Sequence, residues 1–175
     1  MSRIRILPTI SALILTLAVL FGGFQVYQTY AVVRPLEVQL ARIAHVQSAV
    51  VTMQGTVPEI VVTLGPTKDL QTTYSQMESQ IANAFGSSVT IYLKDRRTPF
   101  LRQAYESLEP ILFQGASHGD YMGMIASFDK AAAALGARAR VTMNAQDIFV
   151  QLDRGSAYLY DIVPYANKAL EVSGQ

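Results

Sequence analysis

An uninterrupted apolar stretch near the N-terminus constrains this chain more than any other feature of its 175 residues. Between Ile6 and Phe24 the sequence has no charged residue, and its polar side chains are three hydroxyls that can bond back to their own helix. At about 1.5 Å per residue the stretch is roughly 28 Å long, close to the roughly 30 Å hydrocarbon core of a bilayer. We therefore predict a transmembrane signal-anchor helix over residues 6–30.

The flanking charges predict the orientation of this helix. Arg3 and Arg5 precede it, and the first acidic residue of the chain is Glu37. Because basic residues favour the cytoplasmic side, we expect residues 1–5 in the cytoplasm and residues 31–175 as an extracytoplasmic domain of a single-pass cell-membrane protein. A cleaved signal peptide is the alternative, since exported precursors also begin with a short basic segment and an apolar run.

Composition narrows the classes of function. The chain has no Cys and no Trp, and 15% of its residues are charged, against about 25% in typical soluble domains. Without cysteine, disulfides, thiol catalysis and cysteine metal sites are excluded. Residues 35–175 carry 11 of the 14 basic residues and all 13 acidic ones. This slightly negative balance gives no basis for a nucleic-acid partner.

Hydrophobic periodicity predicts an α+β fold, in which antiparallel hairpins pack on amphipathic helices. The first possible lobe, residues 35–95, has a short helix from Pro35, a hairpin over residues 49–64, an amphipathic helix from Leu70 and a strand around Ile91. We expect these three strands in one sheet with both helices on one face. The short helix either continues the membrane helix through a kink or packs on the domain.

The second possible lobe, residues 98–165, repeats the order of helix and hairpin. Its pattern predicts a helix kinked at Pro110, a loop over residues 115–119, a helix that begins after Asp120 and a hairpin over residues 139–152. The segment AYLYDIV that follows is a third strand or a short helix, and its alternation favours the strand.

The residue patterns do not indicate a catalytic, cofactor or metal site. His45, expected at the end of a helix, and His118 are the two histidines, and neither has a second ligand at metal-binding spacing. Ser117, His118 and Asp120 are neighbours, but a catalytic triad requires side chains that converge in space rather than along the chain. We therefore predict a protein that is not an enzyme and that uses no cofactor.

Two clusters are candidate partner-docking sites. Lys94, Arg96 and Arg97 form the densest group of charges, and arginines can bind carboxylates through two parallel hydrogen bonds. The alternative for this cluster is a solvated turn. Tyr158 and Tyr160 alternate near the C-terminus and would suit an interface if they were exposed. Packing in the core is the alternative for these tyrosines.

The order of anchor, short helix, hairpin, amphipathic helix and strand resembles the ring-building motif of sporulation-channel and secretion-ring proteins. Residues 36–93 carry this resemblance, with SAVVTMQG and EIVVTL as the hairpin. The opening IRILP is similar to the INLLP start of PilN-like pilus assembly proteins. The whole sequence also resembles a single-pass membrane family of Gram-positive bacteria. These resemblances imply self-association or protein partners in the cell envelope.

The expected function is protein–protein assembly in a cell-envelope complex, mediated by the extracytoplasmic domain. The alternative is a membrane-anchored ligand-binding or sensing module, with a pocket between the sheet and the helix that contains Pro110. A third hypothesis, an envelope hydrolase, requires two acidic side chains or a Ser/His pair that converge in a cleft.

Overall fold

The computed structural model describes residues 6–54, 57–86 and 89–165. Side chains are described for the same residues except 6–9, 25, 26, 28–30 and 54. The residues described form five α-helices, one π-helical turn and six strands in two sheets. In chain order they are α1 (Ile6–Gln28), the π turn (Thr29–Val33), α2 (Arg34–Ala41), β1 (Val46–Gln54), β2 (Val57–Leu64), α3 (Leu70–Phe85), β3 (Thr90–Lys94), α4 (Pro99–His118), α5 (Tyr121–Ala134), β4 (Arg138–Met143), β5 (Asp147–Arg154) and β6 (Ala157–Pro164).

The N-terminal apolar stretch is helical, as predicted, and forms α1. Its described side chains run from Ile10 to Phe24 and include Tyr27. The large apolar ones are exposed around the helix, from 50% at Ile10 to 67% at Phe21. Within the part of the chain that the structure describes, no helix combines the length and the apolarity needed to cross a membrane.

Helix α1 continues into α2 through the π turn. Pro35 lies in the first turn of α2 and has no N–H to donate to the carbonyl of Ala31, one turn earlier. A π turn widens the helix at this point, a common way for a helix to continue past an irregularity. Leu36 and Leu40 are buried in the core of the domain. Both alternatives for the short helix are therefore correct, because it continues the apolar helix and also packs on the domain.

Sheet A consists of β1, β2 and β3, in that order. Strand β1 is antiparallel to β2, and β3 is parallel to β2 because α3 crosses over between them. Ile60, Val62 and Leu64 point from β2 to the face that α2 and α3 cover, and all three are fully buried. The predicted three-stranded sheet with both helices on one face is confirmed.

Sheet B consists of β4, β5 and β6, which are antiparallel. Helices α4 and α5 pack on one face, while α3 and the loop before it cover the other. Every residue of β5 from Asp147 to Leu152 is buried, so burial along this strand does not alternate. The predicted second hairpin is confirmed, and the AYLYDIV segment is a strand, β6.

The prediction of a loop over residues 115–119 is wrong, because α4 continues to His118 and ends at Gly119, whose φ is 69°. Gly115 lies inside the helix and faces α5. A Cβ at that position would overlap the Cβ of Met124, so the glycine allows the two helices to approach closely. The helix also continues through Pro110.

Candidate functional site

The face of sheet A opposite α2 and α3 presents a row of apolar side chains to solvent. Val50, Val61 and Tyr92 lie in register across the three strands. Val50 on β1 is 53% exposed and Tyr92 on β3 is 50% exposed, large fractions for apolar side chains. We call this row, together with the polar rows on either side of it, the outer face; the polar residues are Ser48, Thr63 and Lys94 on one side and Thr52, Glu59 and Thr90 on the other.

The composition of the outer face is typical of protein interfaces, which combine an apolar centre containing aromatic residues with a polar rim. Its two polar rows contribute one acidic residue, Glu59, and one basic residue, Lys94. Strand β1 pairs with β2 on one side only. On its other edge the N–H of Val51 donates to Glu37 Oε1 of α2 at 2.9 Å, so α2 already uses part of that edge.

The two predicted docking clusters meet in the structure, at a contact between the segment after β3 and the edge of β6. The backbone N–H of Tyr158 donates to the carbonyl of Arg96 at 3.3 Å. The N–H of Tyr160 donates to Asp95 Oδ2 at 2.8 Å, and the Arg97 guanidinium donates to the carbonyl of Tyr160 at 3.1 Å. These residues therefore join the two halves of the domain.

Asp95 and Arg97 form an ion pair with two hydrogen bonds, each 2.8 Å long. The Asp95 side chain is buried, whereas the Arg97 side chain is 36% exposed. Hydrogen bonding to Asp95 raises the pKa of the Arg97 guanidinium, and partial burial opposes that shift. Arg97 is thus engaged within the chain, while Lys94 and Arg96 are exposed. A docking role for those two exposed cations stays a prediction.

Tyr158 and Tyr160 do not form an exposed strip, and the alternative for them, packing in the core, is confirmed. They are 7% and 1% exposed, because both point to the face of sheet B that the loop before α3 covers. The Tyr158 hydroxyl donates to the carbonyl of Leu64 at 3.0 Å. The Tyr160 hydroxyl accepts a hydrogen bond from the N–H of Thr67 and donates one to the carbonyl of Gly65. Burial raises the pKa of Tyr160 to about 12.

Gln151 is a buried polar residue that the sequence reasoning missed. Its Nε2 donates to the carbonyl of Thr67 at 2.9 Å, and its Oε1 accepts from the N–H of Leu70 at 3.1 Å. The amide thereby satisfies backbone groups at the start of α3, next to the N-cap residue Asp69. The available signal was a single polar residue inside the apolar run IFVQL.

A cleft of about 310 Å³ lies between β3 and β6, with Tyr74, Arg97, Asp147 and Asp161 among its lining residues. Asp147 and Val150 are three residues apart on β5, and Asp161 pairs with Val150. Because strand residues alternate between faces, the two carboxylates lie on opposite faces of sheet B. They therefore do not converge as the hydrolase hypothesis requires.

Two tyrosines next to this cleft have perturbed hydroxyl groups. Burial raises the pKa of Tyr74 to about 12. The Tyr105 hydroxyl is buried and has no partner with hydrogen-bond geometry among the described residues. Burial and the nearby Asp161 carboxylate raise the pKa of Tyr105, although Asp161 lies outside that geometry.

Ser117, His118 and Asp120 lie close together at the end of α4, but they do not form a catalytic relay. Ser117 Oγ is 3.2 Å from His118 Nδ1, yet its hydroxyl donates to the carbonyl of Gln114 at 2.9 Å. The Asp120 carboxylate accepts from the N–H of Gly123 at 3.0 Å and caps α5. The Ser117 hydroxyl and the Asp120 carboxylate thus both form hydrogen bonds with the backbone, so neither acts as a triad partner of His118.

Two further expectations concern His45 and the helix that contains Pro110. His45 lies in the turn after α2 with a φ of 72°, so the expectation that it ends a helix is wrong. Among the described residues, no group of three His, Asp or Glu side chains could hold a metal ion.

Leu108 and Leu112 fill the space between α4 and sheet B on either side of Pro110, where the alternative function requires a pocket.

Comparisons with known proteins give no match: no protein-family model, curated protein or solved structure is similar to this chain. The resemblances to ring-building and pilus assembly proteins stay predictions.

Proposed function

We propose that this chain is a membrane-anchored assembly protein, whose α+β domain makes protein–protein contacts in a cell-envelope complex through the outer face. In this proposal α1 spans the membrane, residues 1–5 are cytoplasmic and the domain is extracytoplasmic. The observation that carries the proposal is the exposed row of Val50, Val61 and Tyr92, on the one sheet face that the described residues leave open.

The exposure of this row supports binding to another protein. Burial of apolar surface at an interface contributes about 25 cal/mol per Å² to the free energy of binding. A sheet face with two valines and a tyrosine would therefore gain free energy when a partner covers it. Tyrosine is also enriched among the residues that dominate interface energies. Strand β1 is an edge strand, and the part of its edge beyond the Val51–Glu37 hydrogen bond can add main-chain hydrogen bonds to such a contact.

The exposure of α1 supports the anchor. Its described apolar side chains cover the whole circumference of the helix, and a bilayer would remove all of them from water. The Thr16 hydroxyl donates to the carbonyl of Ala12 at 2.8 Å, which lowers the cost of placing this polar group in lipid. Arg3 and Arg5 before the helix favour a cytoplasmic N-terminus.

Photo-crosslinking in the host's membranes tests the proposed contact. The photoreactive residue benzoylphenylalanine replaces Tyr92 in one variant and Phe113 in a control. Phe113 is also an exposed aromatic residue, but it lies on α4. We expect a light-dependent adduct at position 92, which disappears when Val50→Lys is added, and no adduct at position 113. Equal adducts at both positions, or none at position 92, would contradict the proposal.

A ligand-binding or sensing module is the second candidate, and the cleft of about 310 Å³ is the observation that favours it. The cleft combines a guanidinium, two carboxylates and tyrosine hydroxyls, which suits a small polar ligand. Asp147 lines the cleft and does not belong to the outer face. Asp147→Asn should therefore abolish ligand binding without reducing the adduct at position 92, and the opposite pattern would exclude this candidate.

A further inference from the structure

Three segments of the chain meet around an apolar pocket where α1 joins the domain. The pocket has a volume of about 200 Å³ and is lined by Val32, Val33, Met53, Ala84 and Phe85. The two valines belong to the π turn, Met53 to the end of β1, and the last two residues to the end of α3. The end of the first hairpin and the end of α3 therefore pack beside the junction between α1 and α2.

The segments that meet at this pocket contain no charged residue. Charges are missing from residues 6–33, from residues 46–58 and from residues 79–93. Charges flank these segments: Arg34 follows the first, Glu59 follows the second, and Glu78 and Lys94 enclose the third. Helices α2, α4 and α5, in contrast, each carry charges of both signs.

The solvent side of this pocket is also apolar. Met53, which lines the pocket, is 38% exposed, and Val57 at the same end of the hairpin is 43% exposed. Met53 pairs with Pro58 and Val57 with Gln54, so the two side chains lie on opposite faces of the sheet. We use the name apolar rim for the set Val32, Val33, Met53, Val57 and Phe85.

The length of the uncharged N-terminal segment sets the height of the apolar rim relative to a bilayer. Residues 6–33 measure roughly 40 Å at about 1.5 Å per helical residue. A bilayer with its headgroup layers measures about 40–45 Å. If α1 spans the membrane, Val32 and Val33 lie within the outer headgroup layer. Met53 and Phe85 line the same small pocket and must lie at nearly the same height.

We propose that the apolar rim lies in the headgroup layer of the bilayer, so that the domain rests on the lipid surface in a fixed orientation. The inference depends on the anchor in the proposed function. The ligand is the lipid surface itself, recognised through apolar contact rather than through charge. Val61 and Tyr92 lie about 13 Å farther along the strands than Val57, which keeps the outer face in water for a protein partner.

Single tryptophan residues test this arrangement, because the natural chain has none. Met53→Trp reports on the apolar rim, and Val57→Trp is a second reporter in case the first variant fails to fold. Tyr92→Trp is the matched control, an exposed position on the same sheet. Leu17→Trp reports on α1. Each full-length variant is reconstituted in phosphatidylcholine vesicles, whose lipids carry a quencher either on the headgroup or in the middle of the acyl chain.

We expect headgroup-labelled lipid to quench the rim tryptophans at least about twofold more than the tryptophan at position 92, since contact quenching requires insertion into the interface. Acyl-labelled lipid should quench the tryptophan at position 17. If position 17 is quenched while rim and control respond equally, the domain stands clear of the bilayer and this inference is wrong, although the anchor remains. If position 17 is not quenched, the anchor fails and the inference fails with it.

Discussion

The two sheets of this domain are similar in size but differ in how their faces are covered. In β2 of sheet A, burial alternates from residue to residue, because helices cover one face and the other is open. In β5 of sheet B, six consecutive residues are buried, because α4 and α5 cover one face and the loop and helix before β3 cover the other. Strand β5 of sheet B is therefore covered on both faces, whereas β2, the central strand of sheet A, is covered on one.

Because of this difference, we expect substitutions in the buried strand β5 to affect stability and substitutions on the outer face to affect function. A substitution in sheet B disturbs packing on two sides, whereas one on the outer face of sheet A disturbs only contacts with solvent or a partner. The outer-face residues Val50, Val61 and Tyr92 should tolerate change in the isolated chain and be sensitive to it in an assembly. The predictions below test this contrast by urea unfolding of the full chain in detergent.

The largest expected effect is that of Phe149→Ala. Phe149 is fully buried, and its ring lies 5.7 Å from that of Tyr74 on α3. Truncation should lower the free energy of unfolding by about 3–5 kcal/mol, because it leaves a cavity between sheet B and α3. Tyr92→Ala, an aromatic truncation on the outer face, should change it by less than about 0.5 kcal/mol. Similar losses in both variants would mean that the two sheets do not differ as described.

Gln151→Leu should have the next largest effect. Leucine cannot pair with the carbonyl of Thr67 or the N–H of Leu70, so two buried backbone groups lose their partners. Two unsatisfied groups at about 1–3 kcal/mol each would cost about 2–6 kcal/mol, and the added apolar surface of leucine should offset part of this, so we expect a loss of about 2–4 kcal/mol. The control is Gln76→Leu on the exposed side of α3, which should be close to neutral. A stabilised Gln151→Leu variant would show that the amide network is dispensable.

An isosteric pair compares the two sheets with almost no change in volume. Val150→Thr introduces a hydroxyl in β5, where both faces are covered, and should cost about 1–3 kcal/mol. Val61→Thr introduces the same hydroxyl on the outer face, where water can hydrate it, and should cost less than about 0.5 kcal/mol. Equal costs would indicate that Val61 is as enclosed as Val150.

Alkaline pH tests whether the face of sheet B toward α3 is sealed. Burial raises the pKa of Tyr74 and of Tyr160 to about 12 from an ordinary value of 10.0. The unfolded chain therefore loses these protons first, and stability should fall between about pH 10 and 12, by at most about 1.4 kcal/mol per pH unit for each tyrosine.

Urea unfolding at several pH values measures this slope. Tyr160→Phe removes one of the titrating groups, so the fall above pH 10 should become shallower in that variant, even though it is less stable at neutral pH. An unchanged slope would mean that Tyr160 ionises as readily in the folded protein as in the unfolded chain.

The sequence predicted the elements well because their patterns are local. The alternation of Ile60, Val62 and Leu64 and the helical spacing from Leu70 were sufficient for β2 and α3. It failed where the answer depends on what a distant segment covers. The alternation places Val61 on the face opposite Ile60 and Val62, but it does not show that the described residues leave this face uncovered.

The same limit explains the errors at the candidate site. Tyr158, Tyr160 and Gln151 are polar enough for a surface, but the loop before α3 covers them and supplies their hydrogen-bond partners. Gly115 is typical of a loop in sequence, but in the structure it lies in α4 directly against the side chain of Met124. The environment of each of these residues depends on a contact with another element of the fold. The periodicity of the sequence does not show such contacts.

Cysteine labelling tests the central claim, that the outer face is open in the isolated chain and covered in the assembly. The chain has no cysteine, so Tyr92→Cys and the control Phe113→Cys each provide a single thiol for a membrane-impermeant maleimide. The account predicts rapid labelling at both positions in the purified protein, and slow labelling at position 92 alone in native membranes. Labelling of position 92 at the same rate in native membranes as in detergent would contradict it.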